Sequence, residues 1–231
     1  GIPLETVQDM KSEVLALSST GIGARELAEG LFAVTSAGLR GATAMEALEA
    51  AANAASIGLG ETRPVALAAG AAVNAYGEEV ISAKEATEVL VGTVEQGNLA
   101  AAELATSVGQ VISIAAEAGI TFQEVGAFIA TFTRLGVNAA EATTALRSTI
   151  ASILKPTTDQ EKAFKELNLP IKEFRDLIEE EGFINAFREL TTRAKEQNVE
   201  IADLIPNVRA LSGVLGVFGQ EGNAAERVLE G

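Results

Sequence analysis

The stretch Asn98–Pro156 constrains the fold most, because it carries the start and stop signals of three consecutive helices. Asn98 is predicted to cap the first helix and Gly119 to end it, since glycine readily takes the left-handed conformation that closes a helix. Apolar residues between them recur at the spacing of one helix face: Leu104, Val108, Val111, Ile112 and Ala115. This pattern predicts an amphipathic helix with one buried face.

Two further helices follow within the same stretch. Thr121 and Glu124 form a predicted capping box, in which each side chain accepts a hydrogen bond from the other residue's backbone N–H. Gly136 is predicted to close this helix, and Asn138 with Glu141 to repeat the box. The predicted apolar faces are Phe122, Val125, Phe128, Ile129, Phe132 and Leu135 in the second helix and Ala142, Leu146, Ile150 and Ile153 in the third. Because the joints are short, these faces are expected to share one core.

The rest of the chain has the same style of short helix and joint, with no alternating strand pattern. Capping boxes are predicted at Thr43, Ser82 and Thr158, and helix starts at Gly23 and Thr62. Further helical patterns cover 4–17, 171–198 with a break at Glu179–Gly182, 201–218 with an interruption at Pro206, and 219–231. The sequence therefore predicts an all-α chain of roughly ten to twelve short amphipathic helices, arranged as a compact bundle or stack.

Composition suggests three parts along the chain. Residues 1–41 form N-terminal helices that could link to other parts, residues 42–157 an Ala-rich helical core, and residues 158–231 a more charged part expected to pack on that core. The helix from Thr43 has a face made of small residues: Ala47, Ala50, Ala51, Ala54 and Ala55. An alanine face of this kind allows helices to pack closely.

The pattern near the C-terminus predicts another buried face: Val208, Leu211, Val214, Leu215 and Phe218.

The side chains available exclude most catalytic and metal-binding chemistry. Cysteine and histidine are absent, so thiolate or imidazole metal sites and the usual activated nucleophiles cannot be built. Carboxylates cluster at Glu78–Glu79 and Glu179–Glu181, but adjacent glutamates on a helix point in different directions, so we interpret both clusters as solvated surface. No Gly-rich phosphate-binding motif occurs. We predict no catalytic, cofactor-binding or metal-binding residue, no cofactor and no enzymatic activity.

Charge and hydropathy bear on nucleic acids and membranes. A net charge of −15 argues against nucleic acid as a resting partner. The longest uncharged run, Pro64–Gly77, is shorter than the ~20 residues that span a bilayer. Small residues four apart, Ala51 with Ala55 and Ala68 with Ala72, allow close helix approach in water or in a membrane, and we favour water because charges interrupt the helices. Without an initiating methionine or a signal-peptide pattern, we expect a segment of a longer protein.

Several blocks of the sequence carry a family resemblance: 72–77, 104–120, 135–147, 154–156 and 205–211. Together they resemble the core region of phage tail tape measure proteins, the TP901-type minor tail proteins. The resemblance covers about residues 42–218 and is strongest over 99–156. It implies a structural virion protein that acts in tail assembly, tail length determination and genome ejection.

The resemblance also implies partners and a location. The partners would be other copies of the chain in a small homo-oligomer such as a trimer, tail tube and tail-tip or baseplate proteins, tail assembly chaperones, and the host membrane during ejection. The location would be the virion tail, with the host cytoplasm during assembly. Two alternatives stay open: a membrane-interacting helical module that helps DNA cross the host envelope, and a general α-helical adaptor.

Overall fold

A computed structural model of the chain describes residues 14, 16–17, 21–58, 60–218 and 228. Within these residues every regular element is helical, and the all-α prediction is confirmed. The predicted helices over 4–17 and 219–231 lie outside the described residues, apart from the helical residues Val14, Ala16, Leu17 and Val228.

The described residues contain thirteen helices. In chain order they are α1 (Ala24–Ser36), α2 (Gly41–Ser56), α3 (Thr62–Tyr76), α4 (Ala83–Gln96), α5 (Ala101–Ser107), α6 (Gly109–Glu117), α7 (Phe122–Thr133), α8 (Ala139–Leu154), α9 (Thr158–Glu166), α10 (Ile171–Glu181), α11 (Phe183–Glu196), α12 (Ile201–Leu204) and α13 (Val208–Phe218). The single helix predicted to follow Asn98 is observed as two helices, α5 and α6. Val108 is the C-cap of α5, where its backbone N–H donates to the carbonyl of Leu104, and α6 begins at Gly109.

Packing divides the chain into two compact units. The first comprises residues 1–94 and 100–109, and the second comprises residues 95–99 and 110–231. The three-part division at residues 41 and 157, which rests on composition, stays a prediction.

In the first unit α1, α2 and α3 pack against one another. Small residues set the close approach: a Cβ on Gly30 of α1 would lie only 2.8 Å from Leu48 Cδ1 of α2. Of the predicted alanine face of α2, three residues are buried and two are half-buried; the buried ones are Ala47, Ala51 and Ala54. The helices are therefore held by close backbone approach as well as by large apolar side chains.

In the second unit a cluster of phenylalanine side chains occupies the core. Phe183 and Phe187 of α11 have ring centroids 4.6 Å apart, and Phe187 stacks on Phe218 of α13 at 5.5 Å. Phe128 of α7 meets Phe183 and Phe218 at 6.2 and 6.4 Å. Contacts at these distances join three helices that are far apart in sequence, and pairs of this kind contribute about 0.5–1.5 kcal/mol each beyond area burial.

Most of the predicted helix signals are confirmed. Thr121 with Glu124 and Ser82 with Glu85 form both halves of a capping box. Gly119 has φ 73°, and the backbone N–H of Ile120 donates to the Ala115 carbonyl in the bond that closes a helix ahead of an apolar residue. Asn138 caps α8 by accepting from the backbone N–H of Glu141, which is half of the predicted box.

Three predicted caps are wrong. α5 begins at Ala101 without a side-chain cap, and the backbone N–H of Asn98 donates to Thr133 Oγ1. α2 begins at Gly41, so Thr43 lies inside its first turn. The cap of α9 is Thr157 with Gln160, one residue before the predicted pair Thr158 and Glu161. In that register the neutral Gln160 is buried and the charged Glu161 stays exposed, which avoids burying a carboxylate.

Two predicted apolar faces are partly wrong. Leu135 follows the end of α7 and is 57% exposed, and on α13 Val208 is 80% and Leu215 44% exposed. α13 instead buries Ala210, Gly213, Val214, Val217 and Phe218. Its glycines face the core because they allow α13 to approach α7 and α8 closely: a Cβ on Gly213 would lie 3.0 Å from both Phe128 and Ala145.

Candidate functional site

The two carboxylate clusters singled out in the sequence lie on the surface. Glu78 and Glu79 are exposed in the turn between α3 and α4, and Glu179–Glu181 are exposed at the end of α10. Among the described residues no group of three or more metal-ligating side chains could hold an ion. None of the described helices is long and apolar enough to cross a membrane.

The small-residue pairs serve packing within the first unit. Ala51, Ala68 and Ala72 are buried, and Ala55 is half-buried. Since α2 and α3 pack on each other, these alanines are covered by neighbouring helices. Small residues at these positions allow the two helices to pack closely.

A buried carboxylate ties two helices together in the second unit. Glu124 Oε2 accepts from the backbone N–H and the hydroxyl of Thr121, each at 3.0 Å. Its other oxygen, Oε1, accepts from the backbone N–H of Ile184 at 3.2 Å, in the first turn of α11. A carboxylate at this position satisfies an otherwise unpaired N–H and interacts favourably with the positive end of the helix dipole.

Gly182 makes this approach possible. Its φ of 87° lies in the left-handed region, and a Cβ at this position would lie 2.6 Å from Glu124 Oε1. Only glycine therefore fits both the backbone conformation and the neighbouring carboxylate.

A small cleft lies elsewhere in the second unit, beside Arg175 of α10. Its volume is about 60 Å³, and its walls are largely aliphatic and aromatic, including Ile120, Ile150, Ile178 and Phe183. The Arg175 guanidinium closes one side by donating to the carbonyls of Ile153 and Leu154 at the end of α8. Arginine at a helix C-terminus satisfies carbonyls that have no partner within the helix.

Two glutamates complete the lining of the cleft. Glu117 and Glu179 are both exposed. Glu179 lies against the backbone of Gly119, where a Cβ would be 3.3 Å from Glu179 Cγ. The cleft thus combines apolar walls with two accessible negative charges.

Further carboxylates stabilise helix starts in the first unit. Thr62 donates from its backbone N–H and its hydroxyl to Glu26 Oε1, at 3.0 and 2.7 Å, and the backbone bond is the main cause that lowers the pKa of Glu26. The backbone N–H of Ser82 is likewise the main cause that lowers the pKa of Glu85. In both cases a hydrogen bond from the backbone N–H at a helix start favours the ionised form of the carboxylate.

The sequence indicated parts of the cleft but not its assembly. Ile150 and Ile153 are predicted from helix periodicity and both are buried. Arg175 was not predicted, because its carbonyl partners lie 21 and 22 residues earlier in the chain and no local pattern marks the pairing.

Comparison with protein families gives a match over most of the chain. The family model for phage-related minor tail proteins matches residues 11–204. This range contains every helix from α1 to α12 and ends at the last residue of α12. Searches of curated proteins and of solved structures gave no match.

Proposed function

Because the chain belongs to the phage-related minor tail protein family, we propose that it is a structural module of a tape-measure-type tail protein that acts in tail assembly and length determination. The observation that carries the proposal is the family match across residues 11–204. The tape-measure assignment is finer than this family and rests on the sequence blocks described above, which are densest in 99–156. No catalytic role forms part of the proposal.

The packing of the second unit supports an assembly role. Its helices bury their apolar faces against one another, and the phenylalanine cluster joins α7, α11 and α13. Such a unit presents fixed surfaces to other proteins, whereas a ruler needs an extended helix that gains about 1.5 Å per residue. The two contributions to tail length, a folded assembly surface and a stretched segment, predict different phenotypes.

The proposed partners are other copies of the chain, tail tube and tail-tip proteins, and assembly chaperones, with the virion tail as the location. A resting complex with nucleic acid is not part of the proposal, because the net charge of −15 opposes it.

The test is electron microscopy of tails from particles whose protein lacks residues 42–218. If this segment is an assembly module, no tails form. If tails form and are shorter by about 1.5 Å per deleted residue, the segment acts as a stretched ruler. Full-length tails with normal infectivity would contradict the proposal, and full-length tails that fail to deliver DNA would favour the membrane-interacting alternative.

A matched variant separates chain length from folded structure. Phe187→Asp keeps every residue but places a charge in the phenylalanine cluster, where Phe187 is fully buried. An assembly module should lose its tails with this variant, whereas a stretched ruler should keep their length. An exposed substitution on the same helix, Glu196→Gln, is the control for expression and should give normal tails.

A further inference from the structure

We propose that the cleft beside Arg175 is a docking site for one leucine-sized aliphatic side chain that stands next to a lysine or arginine in a partner polypeptide. The contribution of this contact to tail assembly rests on the proposed function, whereas the binding itself can be measured on the purified chain.

The volume of the cleft sets the size of the occupant. A water-sized sphere needs on the order of 10–15 Å³ by this measure. The volume of about 60 Å³ is several times this minimum, so the cleft has room for a small aliphatic side chain such as leucine.

The walls favour an apolar occupant over ordered water. Ile120, Ile150 and Ile178 are buried and present only hydrocarbon. The carbonyls of Ile153 and Leu154 already accept from Arg175. Water against these isoleucines has no hydrogen-bond partner on the wall, so its replacement there by an aliphatic group is favourable at about 25 cal/mol per Å² of buried apolar surface.

The charges around the cleft indicate which residues should flank the aliphatic side chain in the partner polypeptide. The carboxylates of Glu117 and Glu179 are accessible, whereas the Arg175 guanidinium is directed at the carbonyl end of α8. A partner with a basic residue beside the aliphatic one would be attracted to both carboxylates. The net charge of −15 adds a long-range attraction for a basic partner and makes a second copy of this chain a poorer occupant of this cleft.

The first experiment observes isoleucine methyl groups by NMR in the full 231-residue chain. Acetyl-Lys-Leu-Lys-amide should cause saturable chemical-shift changes centred on Ile120, Ile150, Ile153 and Ile178. Replacing the peptide leucine with alanine should weaken binding at least about tenfold, because three buried carbons are lost. Replacing both lysines with glutamate should weaken binding at least about fivefold, since two screened attractions become repulsions.

Substitutions in the protein, rather than in the peptide, test the same contacts. Ala118 also lines the cleft, so Ala118→Leu should fill it and abolish the shifts. Glu117→Gln/Glu179→Gln should weaken the lysine peptide about fivefold without changing the binding of an uncharged leucine peptide. The matched control, Glu173→Gln/Glu180→Gln, removes two exposed carboxylates from α10 that do not line the cleft and should bind like the unmodified chain.

Several results would overturn the assignment. These are an absence of shifts at millimolar peptide, equal binding of the glutamate-flanked peptide, or equal binding by the Glu117/Glu179 and control variants. Shifts of the same methyl groups on concentrating the chain alone would identify a second copy as the occupant and overturn the basic partner. Failed binding together with loss of tails on deletion of 42–218 would remove the docking site and leave the proposed function intact.

Discussion

Glu124 accepts a hydrogen bond from the backbone N–H of Ile184, 60 residues later in the chain, at 3.2 Å. The same carboxylate completes the capping box of α7, so one side chain fixes a helix start and joins it to another helix. Gln160 does the same at α9, where its side-chain amide donates to the carbonyl of Leu204 at 2.8 Å. At α7 and α9 the third residue of the helix therefore serves both local and tertiary structure.

Glu124→Ala should destabilise the second unit by about 2–4 kcal/mol, because it removes a cap and leaves a buried N–H of α11 without its partner. The control is Glu141→Ala, because Glu141 is likewise the third residue of its helix, α8, but is exposed. The Asn138 side chain accepts from the backbone N–H of residue 141, so this substitution keeps the cap. That variant should cost less than about 0.5 kcal/mol. Urea unfolding followed by circular dichroism measures both, and equal losses would show that the bond to Ile184 adds no stability.

Gly182→Ala should be much more destabilising than Gly136→Ala, although both glycines have nearly the same positive φ, 87° and 90°. A Cβ on Gly136 meets no atom within 4 Å, so this control isolates the backbone strain of about 1 kcal/mol. A Cβ on Gly182 collides with the Glu124 carboxylate, and we expect a total cost of about 3 kcal/mol or more.

The double variant Glu124→Ala/Gly182→Ala tests the cause of that cost. Removing the carboxylate removes the collision, so the double variant should lose clearly less stability than the sum of the two single losses. Additive losses in urea unfolding would mean that the two residues act independently, contrary to the geometry.

Local signals explain why the sequence predicted much of the fold. The box of Thr121 with Glu124 and the closing turn at Gly119 each involve residues within five positions of one another, so their hydrogen bonds can be anticipated from residue type and spacing. Helix periodicity likewise placed Leu104 and Ile150 in buried positions, because an amphipathic stripe must be covered by neighbouring helices.

Tertiary packing decides the features that were not predicted. Val208 and Leu215 are apolar enough for the core, yet α13 turns its glycines inward, where they lie against Phe128 and Phe132. The cleft depends on the distant pairing of Arg175 with α8, and its walls come from four helices: α6, α8, α10 and α11. Neither the orientation of α13 nor the assembly of the cleft is encoded in a local sequence pattern.

Gly216→Ala should destabilise the second unit by about 1–2 kcal/mol, even though alanine is the better helix former. A Cβ at this position would lie 2.7 Å from Cε2 of the buried Phe132. The control is Gly92→Ala in α4, where a Cβ meets no atom within 4 Å. This control should gain about 0.5–1 kcal/mol in urea unfolding, and a gain by both variants would contradict the close packing of α13.

The hydrogen bonds from Thr62 to Glu26 should make the first unit sensitive to acid. They lower the pKa of Glu26 below its ordinary value of 4.5, so the unfolded state binds the proton more tightly than the folded state. The stabilisation is therefore complete above that ordinary value and is lost as pH falls through the lower pKa of the folded state. Glu26→Gln should be less stable than the unmodified chain at pH 7, and this difference should shrink between about pH 5 and pH 3 in urea unfolding. Glu49→Gln, at an exposed position of α2, should behave like the unmodified chain throughout, and a constant deficit of the Glu26 variant at every pH would contradict the linkage.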